Sequence, residues 1–280
     1  FNPSEPTWTI HDNSEDFIEI SFKLNGYFIK KDYDGNSQIS FPGSVPILQN
    51  GSPELPRMAS SIIIPDLVNM DLKILDYEFI EVSVENILPS KGNLTRDIDP
   101  STVPYVYGDV YDLDAWYPEK ISFLRDPYII RSFRGQTIVF QPFQYNPKSK
   151  LLRVYTSIKI QVGQNGLSQI NPLTSRPPGY SSREFEQMYK DHFINYPNED
   201  RYDILTEHGS MLVISHGSFM DEMQPFIVWK NYKGVATEIV DIADIGDVED
   251  MAQFISDKYY EDGIAYVLLV GDISQIETIR

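Results

Sequence analysis

Proline distribution sets the first limit on this chain. Of its 19 prolines, 18 lie at or before Pro197, and only Pro225 follows. Proline fixes φ and removes a backbone donor, so it ends helices and is shut out of central strands. The first 200 residues must therefore be built from short elements with frequent breaks, whereas the last 80 are free to form long regular ones. Charge changes at the same place. Residues 201–280 hold 15 acidic and 5 basic residues, net −10, and the preceding 200 hold 26 and 18, net −8. Two regions with different construction rules meet near residue 200. The chain's net charge of −18 argues against nucleic acid or an anionic membrane as partner. There is no cysteine, hence no disulfide, thiolate metal site or cysteine nucleophile in these residues. No apolar run approaches the ~18 residues of a transmembrane helix. The first residue is Phe1 rather than Met, so removal of an upstream segment is expected.

The first region reads as β. Asp16–Leu24, Asp71–Val84, Thr137–Gln144 and Leu151–Val162 alternate apolar and polar residues and are rich in Ile, Val, Phe, Tyr and Thr. Asp34-Gly35, Pro42-Gly43, Asn50-Gly51 and Asn165-Gly166 are turn signals between them. Short alternating strands with proline-bearing connections point to a β-sandwich-like domain over residues 1–180. Residues 181–208 read as a short helix, Ser181–His192, capped by serine, followed by a polar linker.

From residue 209 the pattern changes. Ser210–Ser215 and Ala265–Val270 are nearly continuous apolar runs, as buried parallel strands are, with Val235–Ile242 as a third strand. Helices are predicted between them at Ser218–Tyr232 and Val248–Tyr260. This β-α-β-α-β order begins a doubly wound parallel sheet. Such sheets have more than three strands, so residues 209–280 read as an incomplete α/β subdomain whose remainder is expected after Arg280.

Candidate chemistry gathers at the ends of the parallel strands, where α/β proteins place ligands. Asp272 closes the third strand and can touch substrate or a catalytic base there; capping of the following turn is the simpler reading. Ser215 and His216 are adjacent, and adjacent strand residues face opposite sides, so they cannot share a proton as nucleophile and base. Ser218 is expected to cap the next helix. Asp32-Tyr33-Asp34-Gly35-Asn36 opens like a calcium loop, but the sixth position lacks glycine and the twelfth is Gly43, so an Asp-Gly hairpin turn fits better. Asp241, Asp244, Asp247, Glu249 and Asp250 surround a helix start, where acidic residues suit the helix dipole; weak calcium binding is the alternative. No glycine-rich phosphate loop is present.

Several stretches go beyond periodicity. Pro89-Ser90-Lys91-Gly92-Asn93, Val103-Pro104-Tyr105, Trp116-Tyr117-Pro118, Asp126 to Gly135 (DPYIIRSFRG) and Pro142 to Pro147 (PFQYNP) resemble the propeptide of gingipain-type cysteine peptidases. Met211-Leu212-Val213-Ile214, Trp229-Lys230-Asn231 and Tyr266 to Asp272 (YVLLVGD) resemble the opening of the catalytic domain of that family. The resemblance implies a secreted or cell-surface zymogen, with a β-rich propeptide that inhibits a caspase-like α/β peptidase and assists its folding. It implies no cofactor for catalysis. Cleavage after Arg or Lys is expected, with peptide or protein substrates. The family's catalytic cysteine and its histidine in a Gly-His-Gly setting have no counterpart here, so none of these residues is assigned a catalytic role. The partner implied is the remaining catalytic segment, carried on a second chain if Arg280 marks a cut.

Within that resemblance, Arg201-Tyr202 occupies the place where arginine-specific members begin the mature enzyme. The loop Ser90–Asp97 offers Arg96, and after it Lys91, as a substrate-like cation to fill the specificity pocket. A different class of function also fits the β pattern: an extracellular adhesion or glycan-binding sandwich fused to a non-catalytic α/β domain.

Overall fold

The structure, a computed structural model, describes residues 2–14, 16–178, 182–197 and 208–277. It divides into two compact units. The first comprises Phe1–Tyr128 and Arg134–Pro172, the second Ile129–Phe133 and Leu173–Arg280.

The first unit is built on two antiparallel sheets. One has five strands: Thr7–Asn13, Phe17–Lys23, Leu151–Leu167 and Phe143–Asn146 in that order, with Val68–Ser83 also pairing Leu151–Leu167. The other runs Val45–Pro46, Pro56–Ile63, Phe133–Phe140, Ser122–Leu124. Alternation decides which side faces in. Ile18, Ile20 and Phe22 are buried on one strand, and Leu152, Val154, Ile158, Ile160 and Val162 on its neighbour. Aromatic rings join the sheets: Phe22 stacks on Phe140 at 5.0 Å, and Trp8 meets both edge-on at 5.3 and 4.8 Å. Each such ring removed from water contributes about 1.5–3 kcal/mol, so this contact fixes the sandwich-like pairing.

Three local expectations are corrected. Thr137–Gln144 is not one strand: Pro142 lacks an amide donor, and pairing stops at Phe140 and restarts at Phe143. Asn165-Gly166 is not a turn between strands. The strand continues to Leu167, which pairs Val68, and Gly166 at φ 70° sits where the register shifts. Phe193 and Tyr196, assigned to a polar linker, pack on Tyr189 and Phe133 instead.

The second unit holds a parallel sheet in the order Thr237–Asp241, Met211–Ser215, Tyr266–Val270. The middle strand is covered on both faces, with Leu212, Val213 and Ile214 fully buried, which is why its sequence is continuously apolar. Among the described residues three α-helices accompany it: α1 (Arg183–His192), α2 (Met220–Tyr232) and α3 (Val248–Asp262). Leu212, Ile214, Met251, Ile264 and Ile276 form its core. α3 starts in a capping box of Asp247 and Asp250 and ends at Gly263, whose φ of 67° gives the left-handed cap that a side chain resists. Ser182 stands at the N-cap of α1 but makes no side-chain capping bond.

Candidate functional site

The loop that follows Pro89 is tied at its base and open at its tip. Ser90 is buried; its amide donates to Ser52 O at 2.8 Å and its carbonyl accepts from Gly51 N at 3.0 Å. Gly51 must approach closely here. It adopts φ 78°, its carbonyl accepts from Gly108 N at 2.9 Å, and a Cβ on Gly108 would lie 2.9 Å from that oxygen. Further along, Lys91 Nζ donates to Pro100 O at 2.7 Å and lies 4.2 Å above the Tyr105 ring. Asp99 accepts from Ser101 N at 2.8 Å, and Thr102 Oγ1 donates to Asp99 O at 2.8 Å. The Ser101 amide and hydroxyl hold the Asp99 carboxyl below its usual range. Both ends of the loop are thus fastened, the first by the Ser90 main chain and the Lys91 side chain, the second by Asp99 and Thr102.

The tip is a turn closed by Ile98 N donating to Thr95 O at 3.1 Å, with Arg96 and Asp97 as its central residues. A hydrogen bond from the Thr95 side chain pulls the Asp97 carboxyl down. Arg96 is exposed. Of the two cations expected to present themselves, Lys91 is committed to Pro100 and Tyr105, and Arg96 stands out at the apex. Beneath the loop, Glu54 is half-buried; burial raises its pKa and the charge of Lys91 opposes that rise.

The carboxyl ends of the parallel strands carry a second group of polar residues. Asp272 Oδ1 accepts from Ser274 N at 2.7 Å and Ser274 Oγ at 2.5 Å, and Asp272 N donates to Gln275 Oε1 at 3.0 Å. The Ser274 contacts hold its carboxyl below the usual range, and it organises the turn that follows the strand. The expected cap at Ser218 is reversed: His216 Nδ1 accepts from Ser218 N at 3.3 Å and lies 2.7 Å from Ser218 Oγ. An imidazole accepts as well as a hydroxyl, and here it caps the short 3-10 turn Gly217–Phe219, while α2 itself begins after Phe219 with no side-chain cap. Ser215 Oγ donates to His216 O at 3.1 Å, away from the ring.

Neither acidic stretch gathers its carboxylates around a common point. Asp32 Oδ1 accepts from Asp34 N and Asn36 N at 3.0 and 2.8 Å, closing the hairpin turn. Asp241 accepts from Ala243 N, and Asp247 from Glu249 N and Asp250 N. Among the described residues, no group of three or more His, Cys, Asp or Glu is placed to hold a metal ion. Among them, too, no helix is long and apolar enough to cross a membrane. Arg201, Tyr202 and Arg280 lie outside the described residues.

Sequence reasoning passed over two arginines that the fold uses heavily. Arg134 is fully buried and bonds five acceptors, and Arg131 bonds two carbonyls at the end of α3. Their one sequence signal was position inside a conspicuous motif. Nothing in Arg-Ser-Phe-Arg itself says that either guanidinium turns inward.

Two family models match, end to end. The Propeptide_C25 model covers residues 9–202 and the Peptidase family C25 model residues 204–278. Gingipain R2 of Porphyromonas gingivalis strain W83 is 36% identical over 250 residues, covering 85% of this chain and 33% of that protein. Lys-gingipain of the same species is 25% identical over 285 residues, covering 96% of this chain and 16% of that protein. The chain thus spans a third or less of the length of these relatives. Among solved structures, the complex of Porphyromonas gingivalis RgpB pro- and mature domains matches with a TM-score of 0.59 at 30% identity. That match covers 68% of this chain and 98% of the other. A structure reporting the zymogenic latency of gingipain K matches at 22% identity and TM-score 0.50, covering 57% of this chain and 93% of the other, a likeness of fold.

Proposed function

This chain belongs to peptidase family C25, as its propeptide joined to the start of its peptidase domain, and from that we propose that it keeps a gingipain-like cysteine endopeptidase latent. The inhibitory element is Arg96. A substrate-like arginine inhibits by entering the pocket that recognises the residue before the scissile bond. A guanidinium gives that pocket a planar fork of donors that a carboxylate can receive in two bonds. The observation that carries this is the loop itself: both ends are fastened, and the exposed arginine sits at the apex of a turn. A preorganised loop loses little entropy on binding, which favours inhibition over being cut. Lys91 is second to Arg96 because leaving Pro100 and Tyr105 would cost it both contacts.

The active cysteine and histidine lie on the remaining catalytic segment, the chain's natural partner. Cleavage is after arginine or lysine in peptides and proteins. Processing occurs at Arg201-Tyr202, supported by the two family models meeting at residues 202 and 204. Asp272 lies at the edge of the active site. The protein acts outside the cell or at its surface, and no cofactor is needed for the chemistry. An adhesion or glycan-binding module is set aside because both matched families concern a peptidase and its propeptide.

The test is latency in the complete protein with its connecting segment intact. Arg96→Ala should raise hydrolysis of arginyl or lysyl peptides on the order of 10-fold or more, the effect of losing a buried arginine anchor. Lys91→Ala should leave latency in place. Equal latency in all three forms removes Arg96 from the role.

A further inference from the structure

The division of the chain by family and its division by compactness do not coincide. Residues 129–133 and 173–197 fall within the propeptide match, yet they belong to the second unit with the peptidase residues. Within this shared unit lies Arg131. Its Nη2 donates to Gly263 O at 2.6 Å and its Nη1 to Ile264 O at 2.8 Å. The guanidinium lies 4.8 Å from the Phe185 ring and 5.1 Å from the Tyr259 ring. Gly263 ends α3 in the left-handed conformation, which turns the carbonyls at the helix end toward a donor. Cations are favoured at that end of the helix dipole. A planar group flanked by two aromatic faces, with a fork meeting adjacent carbonyls, is a site for guanidinium rather than ammonium.

Neighbouring residues hold Arg131 in place. Its own φ is 47°, a strained value for a residue with a side chain. Ser132 N donates to Tyr189 Oη at 3.3 Å, and Arg176 Nε to Ser132 O at 2.8 Å. Phe133 packs edge-on against fully buried Tyr189 at 4.8 Å.

We propose that the Gly263–Ile264 carbonyls and Tyr259 form a guanidinium socket on the peptidase portion, and that Arg131 filling it is the anchor that keeps the propeptide attached once the connecting segment is cut. This rests on the propeptide reading but is separate from Arg96: one arginine blocks, the other holds. Cutting within 198–207 would then leave two chains joined through the socket, and release would require a second event that removes or destroys the Arg131 segment.

The test uses the full chain with the recognition sequence of a site-specific protease in place of 198–207. After cutting, the two fragments are diluted and run on size exclusion. Unaltered, they should co-elute. Arg131→Ala should raise the concentration at which they separate on the order of 30-fold, as expected for a half-buried arginine anchor with two charge-assisted bonds. Arg131→Lys should fall between, because an ammonium cannot reproduce the fork. Circular dichroism of the uncut variants reports folding; should Arg131→Ala unfold, Arg131→Lys and Tyr259→Leu decide, each expected to weaken co-elution at least several-fold. Co-elution of every folded variant down to the same concentration as the unaltered chain overturns the anchor. Arg96→Ala should co-elute normally, so failure of the socket and failure of the inhibitory loop give different results.

Discussion

Replacing Arg134 by Met tests how the first unit is held together. The guanidinium has five N–H donors, and all five are used. Nε donates to Asn171 O at 2.8 Å, Nη1 to Pro65 O at 2.9 Å and Val68 O at 2.7 Å, and Nη2 to Ser168 Oγ at 2.7 Å and Ile170 O at 3.0 Å. The residue is fully buried; burial lowers its pKa, with the charge of Asp66 opposing. Methionine fills much of the same volume with no donor, leaving four carbonyls and a hydroxyl without this partner. Each buried acceptor so stranded costs about 1–3 kcal/mol, and these costs overlap because water enters and neighbours share the relaxation. A net loss of about 4 kcal/mol is expected, within the range for breaking a buried charged network. For a unit of this size that lowers Tm by roughly 10 °C or more. Lysine keeps the charge but has three donors, so Arg134→Lys should lose about half as much. Urea unfolding, with hydrogen exchange at Ile138–Phe140 to assign the loss to this unit, measures both. A Met variant within about 1 kcal/mol of the unaltered chain would refute the claim that this cluster organises the loops around it.

Two further outcomes concern the second unit. Burial raises the pKa of Glu184, but its hydrogen bond to His208 Nδ1 at 2.7 Å and its other donors outweigh this and bring it down to about 2. A depressed carboxyl stabilises above its unfolded value and loses that contribution as pH falls through the folded one. Stability should therefore drop between pH 4.5 and about pH 2, by about 0.5–1 kcal/mol because the pair is partly exposed. Glu184→Gln should abolish that step in Tm against pH. Gly263→Ala should cost about 1–2 kcal/mol, since φ is 67° and a Cβ would lie 2.6 Å from Pro178 O. Faster amide exchange in the last turn of α3 is the check.

The parallel half-sheet was legible almost residue by residue, because a strand covered on both faces admits nearly nothing but Leu, Val and Ile, as Met211–Ser215 shows. The sandwich was legible as a class, since Phe17–Lys23 and Leu151–Leu167 alternate as half-buried strands do. Less visible were features set by distant partners. Asn165-Gly166 looks like a turn until Val68 is seen to pair with Leu167. Arg131 and Arg134 look like surface cations, and only the fold brings their carbonyl acceptors together. His216 gave no warning that its imidazole would cap the short turn before α2. In the candidate loop, sequence named both cations but could not rank them by what each touches. Lys91 is held by a carbonyl and a ring; Arg96 rises from the turn.

The measurement closest to the central claim is the rate at which an arginyl thiol-reactive inhibitor labels the complete, uncut protein. The account predicts slow labelling in the unaltered form and, with Arg96→Ala, a rate approaching that of protein freed of its propeptide. Labelling as slow in Arg96→Ala as in the unaltered protein would contradict it, because the pocket would then be closed by something other than this arginine.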